Sequence, residues 1–160
     1  MNCRTATEQD IPEACRLLNA IITIGGTTAY EVPLDNSEFS SHFITGDGCI
    51  TCIVCEDTSG RILGFQALNI HPELPPNWVD IATFSQSSQK IKGVGTKLFG
   101  ATCEFLKATD VQVINATIRA DNRPGLAYYS RMGFVDYYTH KAIPLIDGTP
   151  VDRISRRYDV

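Results

Sequence analysis

The stretch QKIKGVGTKLFGATCEFLK, Gln89 to Lys107, changes character part-way along. It opens polar and basic, passes through Gly93-Val94-Gly95, and then places Val94, Leu98, Ala101 and Phe105 at the spacing of one helix face. Two glycines therefore stand where a helix begins. Small residues let a ligand approach the backbone, and a helix start offers N–H groups without helical partners and a partial positive charge. That combination binds anions, phosphate above all. Lys90, Lys92 and Lys97 add charge. The plainer alternative is a helix that uses glycine only for its turn. The spacing lacks the Gly-x4-Gly-Lys-Ser/Thr of a P-loop, and the third glycine of a dinucleotide fingerprint is replaced by Leu98.

The elements that must position this turn follow from periodicity and punctuation. A short strand NCRTA leads to Thr7, which with Asp10 has the form of a capping box, and Ile11, Ala14, Cys15, Leu18, Ile21 and Ile22 mark one face of a first helix. GGTTAYEVPLD breaks that helix, and Asp35 or Ser37 starts a second, short one toward Phe43. Two strands, Cys49 to Glu56 and Arg61 to Ile70, are joined by DTSG, and HPELPP is a loop. NWVDIATFSQ is a strand that delivers the chain to the glycine turn. VQVINATIR follows as another strand, and NRPGLAYYSRMGF is a helix with Pro124 in its first turn and Gly133 at its stop. VDYYTHKAIPL and VDRISRRYDV close the chain as strands joined by an Asp-Gly turn. The expected fold is a single α/β domain over residues 1–160, with a mixed, largely antiparallel sheet of about seven strands flanked by about four helices.

Composition excludes some partners. With 43% hydrophobic and 20% charged residues, the chain is an ordinary globular one. No run approaches the roughly 20 apolar residues of a membrane span, and MNCRTATEQD lacks the apolar core of a secretory signal. A net charge of -4 argues against general nucleic-acid binding. Six cysteines raise the question of a metal or disulfides. Cys49, Cys52 and Cys55 lie in CITCIVC, an apolar strand in which Cys49 and Cys55 face one side and Cys52 the other, so they do not converge on one ion. Reduced cysteines in a cytoplasmic protein without a metal are the expectation.

Later residues narrow the chemistry. Asn122 and the frame Tyr129-x-x-x-Gly133-Phe134 follow the glycine turn in an order that resembles the GCN5-related N-acetyltransferase (GNAT) superfamily. The superfamily's Gln/Arg-x-x-Gly-x-Gly/Ala pattern is matched by Lys90-Ile91-Lys92-Gly93-Val94-Gly95, with lysine in the first place. GGTTAYEVPLD further resembles the Thr-x-Glu-x-Pro segment of the phosphinothricin acetyltransferase group, which lies beside the acceptor.

The resemblance implies acetyl-CoA as co-substrate, its pyrophosphate on the turn and helix start from Lys92 through Gly93, Val94, Gly95 and Thr96, with Lys90 nearby. Its pantetheine arm then runs beside Thr83, Phe84 and Ser85, where the sheet splits, and Asn122 touches it. Asp80, where many members carry Glu, is the implied base, with Glu31 the second acidic candidate. Tyr129 occupies the general-acid position, and Tyr128 is an alternative to it. A strand N–H at Thr83 or Phe84 holds the oxyanion. Trp78 and Tyr30 are candidates for the acceptor pocket, while His42, His71 and His140 match no motif position.

The implied activity is acetyl transfer to the primary amine of a small molecule, an amino acid or a similar compound. The rivals are a protein acetyltransferase acting on lysine or an N-terminus, and a non-catalytic acyl-CoA sensor. A Rossmann oxidoreductase is the weakest, because its third glycine and acidic ribose partner are missing. The C-terminal hairpin carries edge strands suited to subunit contacts, so a homodimer is expected.

Overall fold

Thr7 and Asp10 do form a capping box: the Thr7 N–H reaches Asp10 Oδ2 at 2.7 Å, and Arg4 clamps the same carboxylate with two bonds of 2.8 Å. This fixes the entry to the first helix. The computed structural model describes residues 1–86 and 91–160. The elements run β1 (Asn2–Thr5), a 3-10 turn (Glu8–Asp10), α1 (Ile11–Ile24), α2 (Asn36–Phe43), β2 (Cys49–Glu56), β3 (Ile62–Asn69), β4 (Trp78–Ser85), α3 (Val94–Leu106), β5 (Val113–Arg119), α4 (Arg123–Arg131), β6 (Val135–Pro144) and β7 (Pro150–Asp159). Asp35 caps α2 in a second capping box, with Glu38 returning the bond. Asn122 caps α4, Pro124 lies in its first turn, and Gly133 follows it at φ 93°.

Seven strands form one sheet in the order β1-β2-β3-β4-β5-β7-β6. All neighbouring pairs are antiparallel except β4 and β5. The architecture is thus the expected mixed, largely antiparallel α/β domain with four helices. The insertion of β7 between β5 and β6 places the last strand inside the sheet, which no local signal announces.

Strand alternation supplies both faces of the sheet. Cys52, Val54, Phe65 and Ala67 join α1 and α2 in one core, where Phe39 and Phe43 each meet Phe65 edge to face. Ile53, Cys55 and Leu63 pack against Val94 and Leu98 of α3 on the other face. Beside them, Val79, Ile81, Ile114, Ala116 and Ile118 bury Phe99, Tyr129 and Phe134. The buried face of α3 is Val94, Leu98, Phe99, Thr102 and Leu106, a few tens of degrees from the stripe expected through Ala101 and Phe105.

One expectation about the cysteines changes. A register shift between Cys49 and Thr51 turns the Cys49 side chain toward α2, where its thiol donates to the His42 carbonyl. Cys49 and Cys52 thus share a face and Cys55 lies on the other, because the irregularity breaks the period of two. All six cysteines are free, and burial pushes Cys52 up to about 12, so it stays a thiol. No helix among the described residues is long and apolar enough to cross a membrane, and the same residues hold no group of three potential metal ligands.

Candidate active site

The parallel pair β4–β5 is where the sheet opens. Its ladder holds Trp78 to Val113, Val79 to Ile114 and Asp80 to Asn115, and no further pairing joins the two strands among the described residues. Beyond Asp80 the strands part, and a cleft of about 1050 Å³ occupies the opening. Thr83, Phe84 and Ser85 line it from β4, Thr117 and Arg119 from β5, and Gly93, Val94 and Gly95 from the start of α3.

The glycine turn opens α3, as its spacing implies. Gly93 caps α3 in the left-handed region at φ 90°, where a side chain strains the backbone. The first helical bond is Lys97 N–H to Gly93 O at 2.9 Å, so the N–H groups of Val94, Gly95 and Thr96 precede the ladder. Gly95 has a different reason for being small. A Cβ there lies 2.6 Å from Cε2 of Tyr128, whose hydroxyl donates to the Gly95 carbonyl at 2.9 Å. The second glycine thus seats α4 on α3. Lys92 and Thr96 are exposed and lie outside the cleft lining, and Lys97 donates to the Met1 carbonyl at 3.1 Å. Lys90 falls outside the described residues.

A buried polar chain runs to Tyr129. Thr102 of α3 donates to Gln66 Oε1 at 2.5 Å, which turns the Gln66 amide nitrogen to Thr83 Oγ1 at 2.8 Å and Tyr128 Oη at 3.2 Å. Thr83 Oγ1 in turn lies 3.0 Å from Tyr129 Oη. The chain distinguishes the two tyrosines. A carbonyl only accepts, so the Tyr128 proton is committed to Gly95. Thr83 already accepts from Gln66 and has a proton to give, which leaves the Tyr129 phenol able to donate into the cleft. Burial drives the Tyr129 hydroxyl far above its ordinary pKa, opposed only in part by Thr83, so it stays protonated.

Asp80 stands on the opposite face of β4, the face that Ala82 and Phe84 turn toward the α1–α2 core. Asn115 donates to Asp80 Oδ1 at 2.6 Å, and Tyr137 of β6 donates to Asn115 Oδ1 at 2.6 Å. Burial raises the Asp80 carboxyl above the usual range, with the Asn115 bond and the His71 charge pulling it down. No arginine or lysine pairs with it among the described residues. Tyr30 borders this pocket, its hydroxyl pushed up by burial and by the Asp80 charge.

Other candidates are placed elsewhere. Glu31 is exposed and does not line the cleft; its carboxylate accepts from the Ile146 N–H at 3.1 and 3.2 Å in the turn between β6 and β7. Asn122 borders the cleft, but both ends of its amide are engaged, Oδ1 accepting from Gly125 N–H at 2.9 Å and Nδ2 donating to Thr27 O at 2.6 Å. Arg119 reaches Thr28 O at 3.2 Å, so two anchors hold the 25–35 loop against the cleft. Trp78 packs against Tyr137 and under Arg157 and anchors its strand. Gln66, Asn115, His71 and His140 bear on the site without matching a motif. Gln66 and Asn115 had a signal: each is an amide in the interior of a strand whose other interior residues are apolar or β-branched, ILGFQALN and VINATIR.

A model of the acetyltransferase (GNAT) family matches residues 18–134. The chain belongs to that family. It is an acetyltransferase, and the superfamily resemblance of its motifs is membership. Among curated proteins, it is 25% identical to an L-methionine sulfoximine/L-methionine sulfone acetyltransferase of Pseudomonas aeruginosa over 82% of this chain and 78% of that one. Among solved structures, a phosphinothricin acetyltransferase from Sinorhizobium meliloti in complex with acetyl-CoA superposes with a TM-score of 0.85 at 20% identity, covering 99% of this chain and 88% of that one. A ribosomal-protein-alanine N-acetyltransferase from Brucella melitensis has the same TM-score at 20% identity, with all of both chains covered.

Proposed function

We propose that this acetyltransferase moves the acetyl group of acetyl-CoA to the primary amine of a small amino-acid-like molecule. The observation that carries the reading is the opening of β4 from β5, with Asp80 on one face of β4 and Tyr129 on the other. A base and an acid thus reach one slot from opposite sides. The curated relative named for L-methionine sulfoximine and sulfone, and the neighbour named for phosphinothricin, support the acceptor class.

Acetyl-CoA supplies a thioester carbonyl and a thiol leaving group. The unpaired β4 edge from Ile81 to Ser85 suits its amide-bearing arm, and the first N–H groups of α3 suit its pyrophosphate. Asp80 takes a proton from the acceptor's ammonium, directly or through water, because only the free amine has a lone pair to attack the carbonyl. A β4 N–H at Thr83 or Phe84 receives the developing oxyanion. As the C–S bond breaks, Tyr129 gives its proton to the departing sulfur. Asn122 acts here by holding the 25–35 loop and capping α4. Asn122→Ala is expected to lower stability by about 1 kcal/mol and to raise the acceptor's KM severalfold. Acetyl-CoA affinity should stay within about twofold, as calorimetry and steady-state kinetics would show.

The protein-acetylating reading has the ribosomal-protein neighbour in its favour. Against it, Thr27, Thr28, Ala29 and Tyr30 form a wall of the cleft, tied down through Arg119 and Asn122, which narrows it for a peptide. Six free thiols suit a reducing cytoplasm, and the reading needs no metal. Val135, Tyr137 and Tyr138, 61%, 43% and 58% exposed along β6, suit the contact face of a homodimer, which light scattering tests.

The deciding experiment measures thiol release from acetyl-CoA with amino acids, L-methionine sulfone, phosphinothricin, polyamines and N-terminal peptides. Turnover with an amino-acid-like amine is the expected result. Turnover confined to peptides moves the activity to proteins, and binding of acetyl-CoA without any turnover leaves the sensor.

A further inference from the structure

The acceptor side of the cleft holds a cation without a counterion. Arg4, Arg119, Arg156 and Arg157 are each sheltered from solvent, and each has a carboxylate: Asp10 and Glu56, Asp121, Asp136, and Asp159. Arg153 is likewise half-buried and lines the cleft, yet among the described residues its guanidinium has neither an ion pair nor a hydrogen bond. A sheltered guanidinium loses water contacts that something must replace.

Its position narrows what that is. Arg153 is paired across the ladder with Arg119 of β5 and with His140 of β6. Like charges directly opposite each other are unfavourable. Asp121 neutralises Arg119 through bonds of 2.9 and 2.7 Å, and the Arg119 side chain turns to Thr28, so the unbalanced charge is on Arg153. His140 is tied to Ser155 at 3.0 Å, and Ser155 to Thr117 at 3.0 Å, which brings no anion to Arg153. Residues Asn115, Thr117 and Arg119 share the Asp80 face of the sheet, and Arg153 with them. Arg119 lies four residues from Asn115, about 13 Å of strand. That length is about what an extended arginine side chain and a small acceptor span end to end, and Asp80 and Arg153 line one cavity.

We propose that Arg153 is the specificity-determining residue of the acceptor site, and that it binds the carboxylate of an amino acid whose amine is presented to Asp80. The proposal rests on the acetyl-transfer reading and adds the acceptor's second functional group. A planar guanidinium matches a carboxylate with two parallel bonds, whereas a plain amine or polyamine has nothing to place there and meets an unfavourable charge.

The test compares native protein, Arg153→Gln and Arg153→Lys with L-methionine sulfone, phosphinothricin and the protein amino acids, each beside the same amine without its carboxylate. Both KM and calorimetric affinity in the presence of CoA are read, so binding is scored even where turnover is slow. Arg153→Gln should raise KM and Kd for the carboxylated acceptor about 10- to 100-fold, as expected for losing hydrogen bonds to a charged group. The decarboxylated amine should bind no worse, kcat and acetyl-CoA affinity should stay within about threefold, and Arg153→Lys should recover part of the loss. An equal loss for both members of a pair overturns the proposal. So does native protein that prefers the carboxylate-free amine or binds no amino acid. Failure of acetyl-CoA to bind native protein would instead remove the underlying acetyl-transfer reading.

Discussion

Tyr129→Phe is expected to lower kcat by about 10²- to 10⁴-fold, the contribution typical of a positioned general acid. That is roughly 3 to 5 kcal/mol of barrier at about 1.4 kcal/mol per decade. Without the phenol, the departing sulfur leaves as a bare thiolate with no positioned proton donor. The size of the effect depends on the proton being available, and the polar chain beneath it provides that. Thr102 orients Gln66, Gln66 donates to Thr83, and Thr83 has a proton to give Tyr129. Tyr128→Phe is the control, because its proton already belongs to the Gly95 carbonyl; it should change kcat less than about tenfold. Steady-state kinetics on the two variants decides between the residues. A kcat preserved in Tyr129→Phe and lost in Tyr128→Phe would exchange their roles. Folding is not the confounder, since the lost hydroxyl removes one hydrogen bond, about 1 kcal/mol, and Thr83 keeps Gln66.

The second large effect belongs to Asp80→Asn, which should reduce kcat/KM by about 10²- to 10⁴-fold and abolish the acid limb of its pH profile. In native protein that limb should lie above the ordinary aspartate range, because burial raises the carboxyl. The same shift makes a prediction about stability with a definite sign. In acid both folded and unfolded chains hold the proton. As pH rises, the unfolded chain releases it first, at the ordinary value, while the folded carboxyl still resists ionisation. Folding stability therefore falls across the interval between the unfolded and the raised folded pKa, and stays lower above it. Asp80→Asn cannot ionise, and Asn115 can still donate to its amide oxygen. Its Tm should match native in acid and exceed it near neutral pH, measured by calorimetry across the range. A native protein stabilised through the same interval would show that the base is held ionised by some other partner.

The two variants separate the halves of the reaction. In the proposed reaction Asp80 acts before attack on the carbonyl and Tyr129 after it, and strand alternation places them on opposite faces of β4. Burial favours the neutral form of each group, and the Asp80 charge adds to the rise of the Tyr129 hydroxyl across the strand. In the proposed reaction these shifts suit Asp80 to act as the base and Tyr129 as the proton donor.

Much of this protein was legible in order along the chain. Thr7 with Asp10 forms the box that its spacing implies, and Asp35, one of the two starts expected for the second helix, is its cap, because a helix cap is made by residues three apart. Gly93 before an apolar helical rhythm, and Tyr129 with Gly133 and Phe134, are equally local, and they located the cleft. The Asp80 position was readable as well, being carried by its place at the start of a strand. What stayed hidden depends on residues far apart in sequence meeting in space. The insertion of β7 between β5 and β6 is set by long-range pairing energies, and so is the parting of β4 from β5 after three residue pairs. Gly95 reads from sequence as a phosphate residue, and only the structure adds the second reason for its size, the Tyr128 ring packed against it. Glu31 looks like a second base until its loop carries it to Ile146. Whether a carboxyl is a base, or an arginine is without a partner, is a property of its surroundings. Sequence sets the residue and the helix or strand that carries it. The tertiary structure alone sets desolvation and the through-space neighbours, and those decide protonation and binding.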